Sequence, residues 1–230
     1  MQTQLTSKLK KWLGLPRSLS VDCLYSTSGK LQLPYSELTE EFKASKARLL
    51  MTLKEAEDPC VKGAEVLVDR GRKADTQATI EEAENRLQMQ ELTGIPNRGK
   101  EGLELHPRKY FSREGKKEQR RMVVDTVRQM EEERRTVKMT SLSTQGAPMN
   151  WEVPERRLSH KEVLDMPEGT FKFLVKSVYD LLPTPENKNR WFGTEEVCHL
   201  CGGKGTLAHI LSGCLVALSQ GRYTWRHEKS

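Results

Sequence analysis

An all-α fold of short helices, in two loosely coupled parts, is what this sequence predicts, and three observations predict it. Apolar residues recur at helical spacing, most cleanly at Phe171, Leu174, Val175, Val178 and Leu182. Charged residues make up 30% of the 230 positions against 36% hydrophobic and 6% aromatic. That is too polar a mixture for one large core, and it suits several small helical units. Leu31 and Leu33 alternate with polar neighbours and end at Pro34, which allows only a short extended piece there.

The elements follow in order. Leu9, Trp12 and Leu13 mark a short basic amphipathic helix, stopped by Gly14 and Pro16, and residues 18–25 carry a second short helical pattern ending before the turn at Ser28 and Gly29. Ser36, with Glu37 in the first turn, is placed to cap a helix whose apolar stripe runs through Leu38, Phe42, Leu49 and Leu53. Asp58 and Pro59 form an N-cap and first-turn pair for a helix over 61–68, closed by Gly71. Within the next helix, residues 75–92, Thr79 and Glu82 match a capping box; Ile80, Ala83, Leu87 and Leu92 supply its apolar stripe, and Gly94 and Pro96 end it. Residues 97–107, rich in glycine and charge, read as a loop. The longest helix covers 112–139, with a narrow seam of Val123, Val127, Met130 and Val137.

That long helix carries Arg113, Lys116, Lys117, Arg120 and Arg121 in its N-terminal half and Glu131, Glu132 and Glu133 further on. The polarity opposes the helix macrodipole at both ends, so stabilisation of the helix alone does not account for it. Two readings stay open: a phosphate-contacting patch, or a solvated helix face. The small, polar run TSLSTQGAPMN over 140–150 reads as a flexible linker. The chain therefore divides into helical regions over 1–70 and 71–139, the linker, and a C-terminal segment over 151–230. Aromatic residues are denser in that last segment, where they serve as core or as stacking platforms for bases. Ser159 is placed to cap a short helix through Leu164, and a helix over 207–218 is expected to pack on the one carrying Phe171 to Leu182.

The most specific feature is the run CHLCGGKGTLAHILSGC. It sets Cys198, Cys201, His209 and Cys214 in the spacing C-x2-C-x7-H-x4-C and holds three of the five cysteines. Thiolates and a neutral imidazole are the donors that tetrahedral Zn²⁺ prefers, and four protein ligands leave no open position, so one structural zinc is expected. Gly202 and Gly203 follow the second cysteine, where the backbone must fold back toward the sulfurs. The competing reading is a redox dithiol at Cys198 and Cys201, which lacks the βαβ context such motifs occupy. His199 is kept outside the ligand set.

A net charge of +6, from 38 basic and 32 acidic residues, favours an anionic partner without requiring one. No apolar run is long enough to span a membrane and the N-terminal residues carry no signal-peptide core, so no membrane contact and an intracellular setting are expected, nucleus and cytoplasm unresolved.

The runs LLPTPENKNRWFG, CHLCGGKGTLAHILSGC and LSQGRYTWRHE resemble the region after the polymerase domain in site-specific LINE-like (non-LTR) retrotransposon reverse transcriptase proteins. KKWLGLPRSLSVDCLY and LQLPYSELTEEFKASKARLL look like the thumb at the end of such a polymerase, which makes residues 1–70 thumb-like and the charged helices the family's linker region. The resemblance implies that Cys198, Cys201, His209 and Cys214 hold zinc, and that basic residues of the thumb-like and linker helices contact RNA or DNA. It implies no catalytic residue here. The sequence has no Asp-Asp pair, and its Tyr179–Asp180 dipeptide runs into Leu181 and Leu182, so the polymerase motif is absent. The expected product is a non-catalytic nucleic-acid-binding fragment, truncated or domesticated. The alternatives are a zinc-stabilised module that docks a protein partner, an enzymatic piece working with a separate catalytic chain, and an element relic without function.

Overall fold

The computed structural model describes residues 2–62, 75–93, 95–99, 102–106 and 110–224. The fold is all-α, and the strand pairings among the described residues are short. In chain order the elements are α1 (Gln2–Trp12), α2 (Val21–Tyr25), β1 (Leu31–Gln32), α3 (Leu38–Lys54), α4 (Pro59–Lys62), α5 (Thr76–Thr93), β2 (Ile95–Gly99), β3 (Gly102–His106), α6 (Lys116–Thr140), β4 (Arg156–Arg157), α7 (His160–Asp165), α8 (Glu168–Val178), α9 (Pro185–Phe192) and α10 (Leu215–Ser219). No helix among the described residues is long and apolar enough to cross a membrane.

Two compact units divide the chain, and they are not consecutive in sequence: Met1–Tyr35 joins Thr136–Ser230, while Ser36–Arg135 forms the other. The first unit is organised around Leu19, Cys23, Leu24, Leu31, Met139, Leu158, Phe171, Val175 and Tyr179. The Tyr179 hydroxyl, buried, lies 3.0 Å from the Leu31 carbonyl and 3.2 Å from that of Cys23, tying α8 to the N-terminal segment. Parallel pairing of Leu31 with Arg156 and Gln32 with Arg157 makes a second tie. The buried Lys10 ammonium donates to the carbonyls of Leu19 and Arg17, which fixes the chain leaving α1.

Residues 140–150, expected as a flexible linker, are bound into this unit. The Gln145 side chain accepts from the Ser20 amide at 2.6 Å and donates to the Ser18 carbonyl at 2.8 Å. Pro148 is buried in a 3₁₀ turn over Ala147–Asn150. Small polar composition marked a break in helix, and the side-chain hydrogen bonds that anchor the break had no periodic signature.

In the second unit α3, α5 and α6 share a core of Ala47, Met51, Ile80, Ala83, Leu87, Val123 and Val127, with Phe111 from the 3₁₀ turn before α6. Several expectations need correction here. The buried face of α3 is Ala44, Ala47 and Met51, whereas Leu38, Phe42 and Leu49 are exposed, Phe42 by 56%. Small alanines let the helices approach closely, and this outweighs the larger apolar side chains on the other face. Glu37, not Ser36, is the N-cap of α3, without a side-chain hydrogen bond. Asp75 begins α5 by accepting from the amides of Gln77 (2.9 Å) and Ala78 (3.3 Å), and Leu92 points to solvent. The region expected as a loop contains the antiparallel hairpin β2–β3, in which Ile95 pairs with His106 and Gly99 with Gly102. On α6, Val137 is 69% exposed and does not extend the seam. Asp58 caps α4 as expected, accepting from the Cys60 amide at 2.8 Å; positions 63–71 of the helix predicted there lie outside the described residues.

The charges of α6 have partners across the helix interface. Arg120 meets Glu55 at 2.9 Å, Arg128 meets Glu41 at 2.9 Å, and Lys43 pairs with Glu131. Arg135, its side chain 4% exposed, is held by Glu37, Glu40 and Glu132. Rising numbers on α3 meet falling numbers on α6, so the two helices are antiparallel and zipped by ion pairs beside their apolar contact.

Candidate metal centre

The chain enters the site as a tight turn. Val197 and Lys204 form an antiparallel bridge, the Cys198 amide donates to the Gly203 carbonyl at 2.7 Å, and the Gly202 amide donates to the Cys198 carbonyl at 2.8 Å. Gly202 takes φ +70, the left-handed conformation that the fold-back requires and that glycine adopts without strain. Cys198 and Cys201 thereby face the same point from one turn. Gly205 then brings the chain against α9: a Cβ there would lie 2.6 Å from Pro185, and the Gly205 carbonyl accepts from the Glu186 amide at 3.2 Å. Lys204 adds an ion pair to Glu186 at 3.0 Å.

The other two ligands come from beyond this junction. A continuous α-helix over 207–218, as the sequence suggested, would rotate positions 209 and 214 about 140° apart at ~100° per residue. The chain instead forms one π-turn over His209–Gly213, breaks at an extended Cys214 (φ −80, ψ 110), and restarts as α10. A π-turn closes over five residues, so His209 and Cys214 come to one side. Leu215 and Leu218 are consequently exposed. The module has its own small cluster of Cys198, Cys214 and Ala217, with Ile210, Val216 and Tyr223 against it, and it does not share the core around Phe171 and Val175.

All four donor atoms of Cys198, Cys201, His209 and Cys214 lie within 4.8 Å of one another. Cys201 Sγ is 3.2 Å from His209 Nε2, and the sulfurs of Cys198 and Cys214 are 3.9 Å apart. That separation is far beyond a disulfide bond of about 2.05 Å, and all the cysteines are free thiols. Cys198 and Cys214 are buried, His209 is half-buried and Cys201 is exposed, so the cluster has one solvent-facing edge. The group can hold a metal ion, and its donor set is that of a closed four-ligand site.

The electrostatics favour ligation. Backbone amides of Leu200 and Cys201, aided by His209 and Cys201 side chains, pull the Cys198 thiol down to about 6 against the opposing effect of burial. At Cys201 the Gly203 amide, 3.4 Å from the sulfur, favours the thiolate, but burial and the neighbouring Cys214 and Cys198 sulfurs prevail and raise its pKa. Cys198 is therefore more readily ionised than Cys201, which must give up its proton when a cation is bound.

Sequence reasoning missed the supporting shell. The Tyr223 hydroxyl accepts from the Cys214 amide at 3.3 Å and lies 3.2 Å from the carbonyls of His209 and Ile210, stapling both ends of the π-turn. Thr206 Oγ1 accepts from the His209 amide at 3.1 Å. Tyr223 lies beyond the ligand motif, so spacing gave no signal for it; Thr206, three residues before His209, was legible as a cap.

The basic residues singled out on sequence separate into two groups. Arg113 stacks on the Tyr110 ring at 4.6 Å, and Lys116 and Lys117 are exposed where α6 begins. Arg121 is exposed, with Glu118 and Asp125 each at 3.7 Å. Arg120 turns the other way, to Glu55 and to Thr52 Oγ1 at 3.0 Å, and acts as a strut between α6 and α3. No family model, curated protein or solved structure matches this chain.

Proposed function

We propose that this chain is a non-catalytic nucleic-acid-binding region derived from a non-LTR retrotransposon reverse transcriptase protein, folded at its C-terminal end around one structural zinc ion. The convergence of three thiols and an imidazole within 4.8 Å carries the reading. Tetrahedral Zn–S bonds of about 2.3 Å put sulfurs roughly 3.8 Å apart, close to the 3.9 Å between Cys198 and Cys214. Exposed Arg113, Lys116, Lys117 and Arg121 supply phosphate contacts to RNA or DNA, with Arg120 bracing the helix that presents them. Contacts of this type neutralise charge and give affinity with little base preference.

Elemental analysis of protein purified without chelator tests the metal: one zinc per chain is expected, and none in Cys201→Ser. Mobility-shift titration of structured RNA and duplex DNA across salt concentrations tests the interface. Each phosphate contact contributes about 0.9 to the slope of log affinity against log salt, so Lys116→Gln/Lys117→Gln should flatten that slope by nearly two. Zinc-loaded protein that retains neither nucleic acid at low salt would sink the proposal. The exposed Leu38, Phe42 and Leu49 on α3 favour a second reading, a protein-docking module. Under that reading nucleic-acid retention is weak, and Phe42→Ser abolishes a saturable protein partner.

A further inference from the structure

We propose that a cavity beside the metal module is a pocket for one unpaired guanine base. The cavity holds about 500 Å³ and is walled by Trp151, Val178, Asp180, Arg190, Thr206 and Leu211 among others. Small-molecule sites span roughly 300–1,000 Å³, mostly apolar with a few placed polar groups, and this one fits that description. Trp151 is 41% exposed and offers an aromatic face, the sequence-tolerant platform on which bases stack.

The polar groups are fixed from behind. Asn187 is fully buried; its amide donates to Asp180 Oδ1 at 3.0 Å, and its Oδ1 accepts from Arg190 Nη1 at 2.9 Å. A carboxylate and a guanidinium are thus held side by side. Asp180 is the one non-glycine residue among those described with positive φ, at +49, and Asn187 also holds its carbonyl at 2.9 Å. Asp180 is the left-handed residue of the turn that ends α8, closed by the Leu181 amide on the Lys176 carbonyl at 2.7 Å, and this fixes where its side chain leaves the backbone. Glu186, also on the wall, is paired with Lys204 at 3.0 Å and more loosely with Arg190 Nη2 at 3.9 Å, which leaves Asp180 as the acceptor. Burial raises the Asp180 carboxyl above its ordinary range, so N–H donors from a ligand would stabilise its charge.

Among the four bases only guanine carries two adjacent N–H donors, at N1 and N2, beside an acceptor, O6, on its pairing edge. Asp180 accepts the pair and Arg190 donates to O6. That edge is occupied within a duplex, so the base comes from a single strand. This extends the proposed function, since phosphate contacts on α6 carry no sequence information whereas the pocket reads one base.

The test titrates GMP, AMP, CMP and UMP into the full chain purified without chelator, following backbone amides and the Trp151 indole by NMR. Saturable shifts of cavity residues with GMP are expected, with the other nucleotides at least about tenfold weaker. Trp151→Ala should weaken GMP roughly tenfold, the effect of losing one stacked base. Asp180→Asn should abolish the preference for GMP without unfolding the chain, because asparagine tolerates positive φ. No saturable shift at millimolar nucleotide, equal affinity for all four, or an undiminished preference in Asp180→Asn would each overturn the pocket. If GMP binds while long RNA and DNA are not retained, the α6 interface alone fails; the reverse result removes the pocket alone.

Discussion

At the metal cluster, single atoms decide how metal and protons compete. The Cys198 thiol sits at about 6 against an ordinary 9.0, so its folded value is depressed. A depressed group stabilises the fold fully above pH 9, loses that contribution as pH falls, and contributes nothing below about 6. Cys201 is shifted the opposite way and must release a proton on ligation. Apparent metal affinity should therefore rise continuously from pH 6 to pH 8 in competition with a chromophoric chelator; a flat profile would mean these sulfurs are not the ligands. Tyr223→Phe makes a finer probe. It removes the hydroxyl that spans the Cys214 amide and the His209 and Ile210 carbonyls. Loss of such a supporting contact costs roughly 10- to 100-fold in metal affinity, and an unchanged affinity would make Tyr223 a bystander. The four ligands were legible because donor type and spacing are local properties of the chain. Tyr223 and the Asp180–Asn187–Arg190 row were not, because they depend on where turns place residues that no motif links.

Between elements, the ion-pair zipper of α3 and α6 makes the sharpest contrast. Arg135 is enclosed by Glu37, Glu40 and Glu132, all with side chains largely buried. Burial works against its charge, but the Glu40 and Glu132 carboxylates prevail and raise its pKa. Arg135→Met would leave three carboxylates facing one another, and removing one partner from a buried set costs about 3–5 kcal/mol. Arg120→Gln breaks a more exposed pair, worth under about 1 kcal/mol. Urea unfolding should separate the two variants clearly; equal midpoints would show that Arg135 is not a structural hub. From sequence, α6 read as a helix with charges set against its macrodipole, and its partners were invisible until α3 was laid antiparallel to it. The phase of α3 misled for a related reason. Large residues dominate a periodicity count, yet close helix contact selected Ala44 and Ala47. Residues 97–107 read as a loop because glycine and charge dominate them, and the short alternation of Leu103, Glu104 and Leu105 within β3 was passed over.

Across the whole molecule, the distribution of apolar burial dictates what metal removal should do. The three buried residues of the metal module's apolar cluster, Cys198, Cys214 and Ala217, include two of its candidate ligands. Fixing each residue of a chain costs about 1–2 kcal/mol of conformational entropy, which so small a cluster cannot offset alone. Structural zinc supplies roughly 10–16 kcal/mol in comparable small modules. The unit over Ser36–Arg135 contains no ligand and has its own core of Ala47, Met51, Ile80, Ala83, Leu87, Val123 and Val127. Chelation should therefore act locally. Hydrogen exchange followed by mass spectrometry should show peptides covering 196–219 losing protection on chelation, while peptides from α3, α5 and the first half of α6 keep theirs. The guanine cavity belongs to the region that loosens, since Thr206 and Leu211 flank His209 on its wall, and GMP affinity should fall together with protection. Collapse of protection throughout α3 and α5 would mean that the metal governs the folding of both units. Unchanged protection at 196–219 would mean that Pro185, Glu186 and Tyr223 suffice to hold the ligand turn, leaving the metal no structural task.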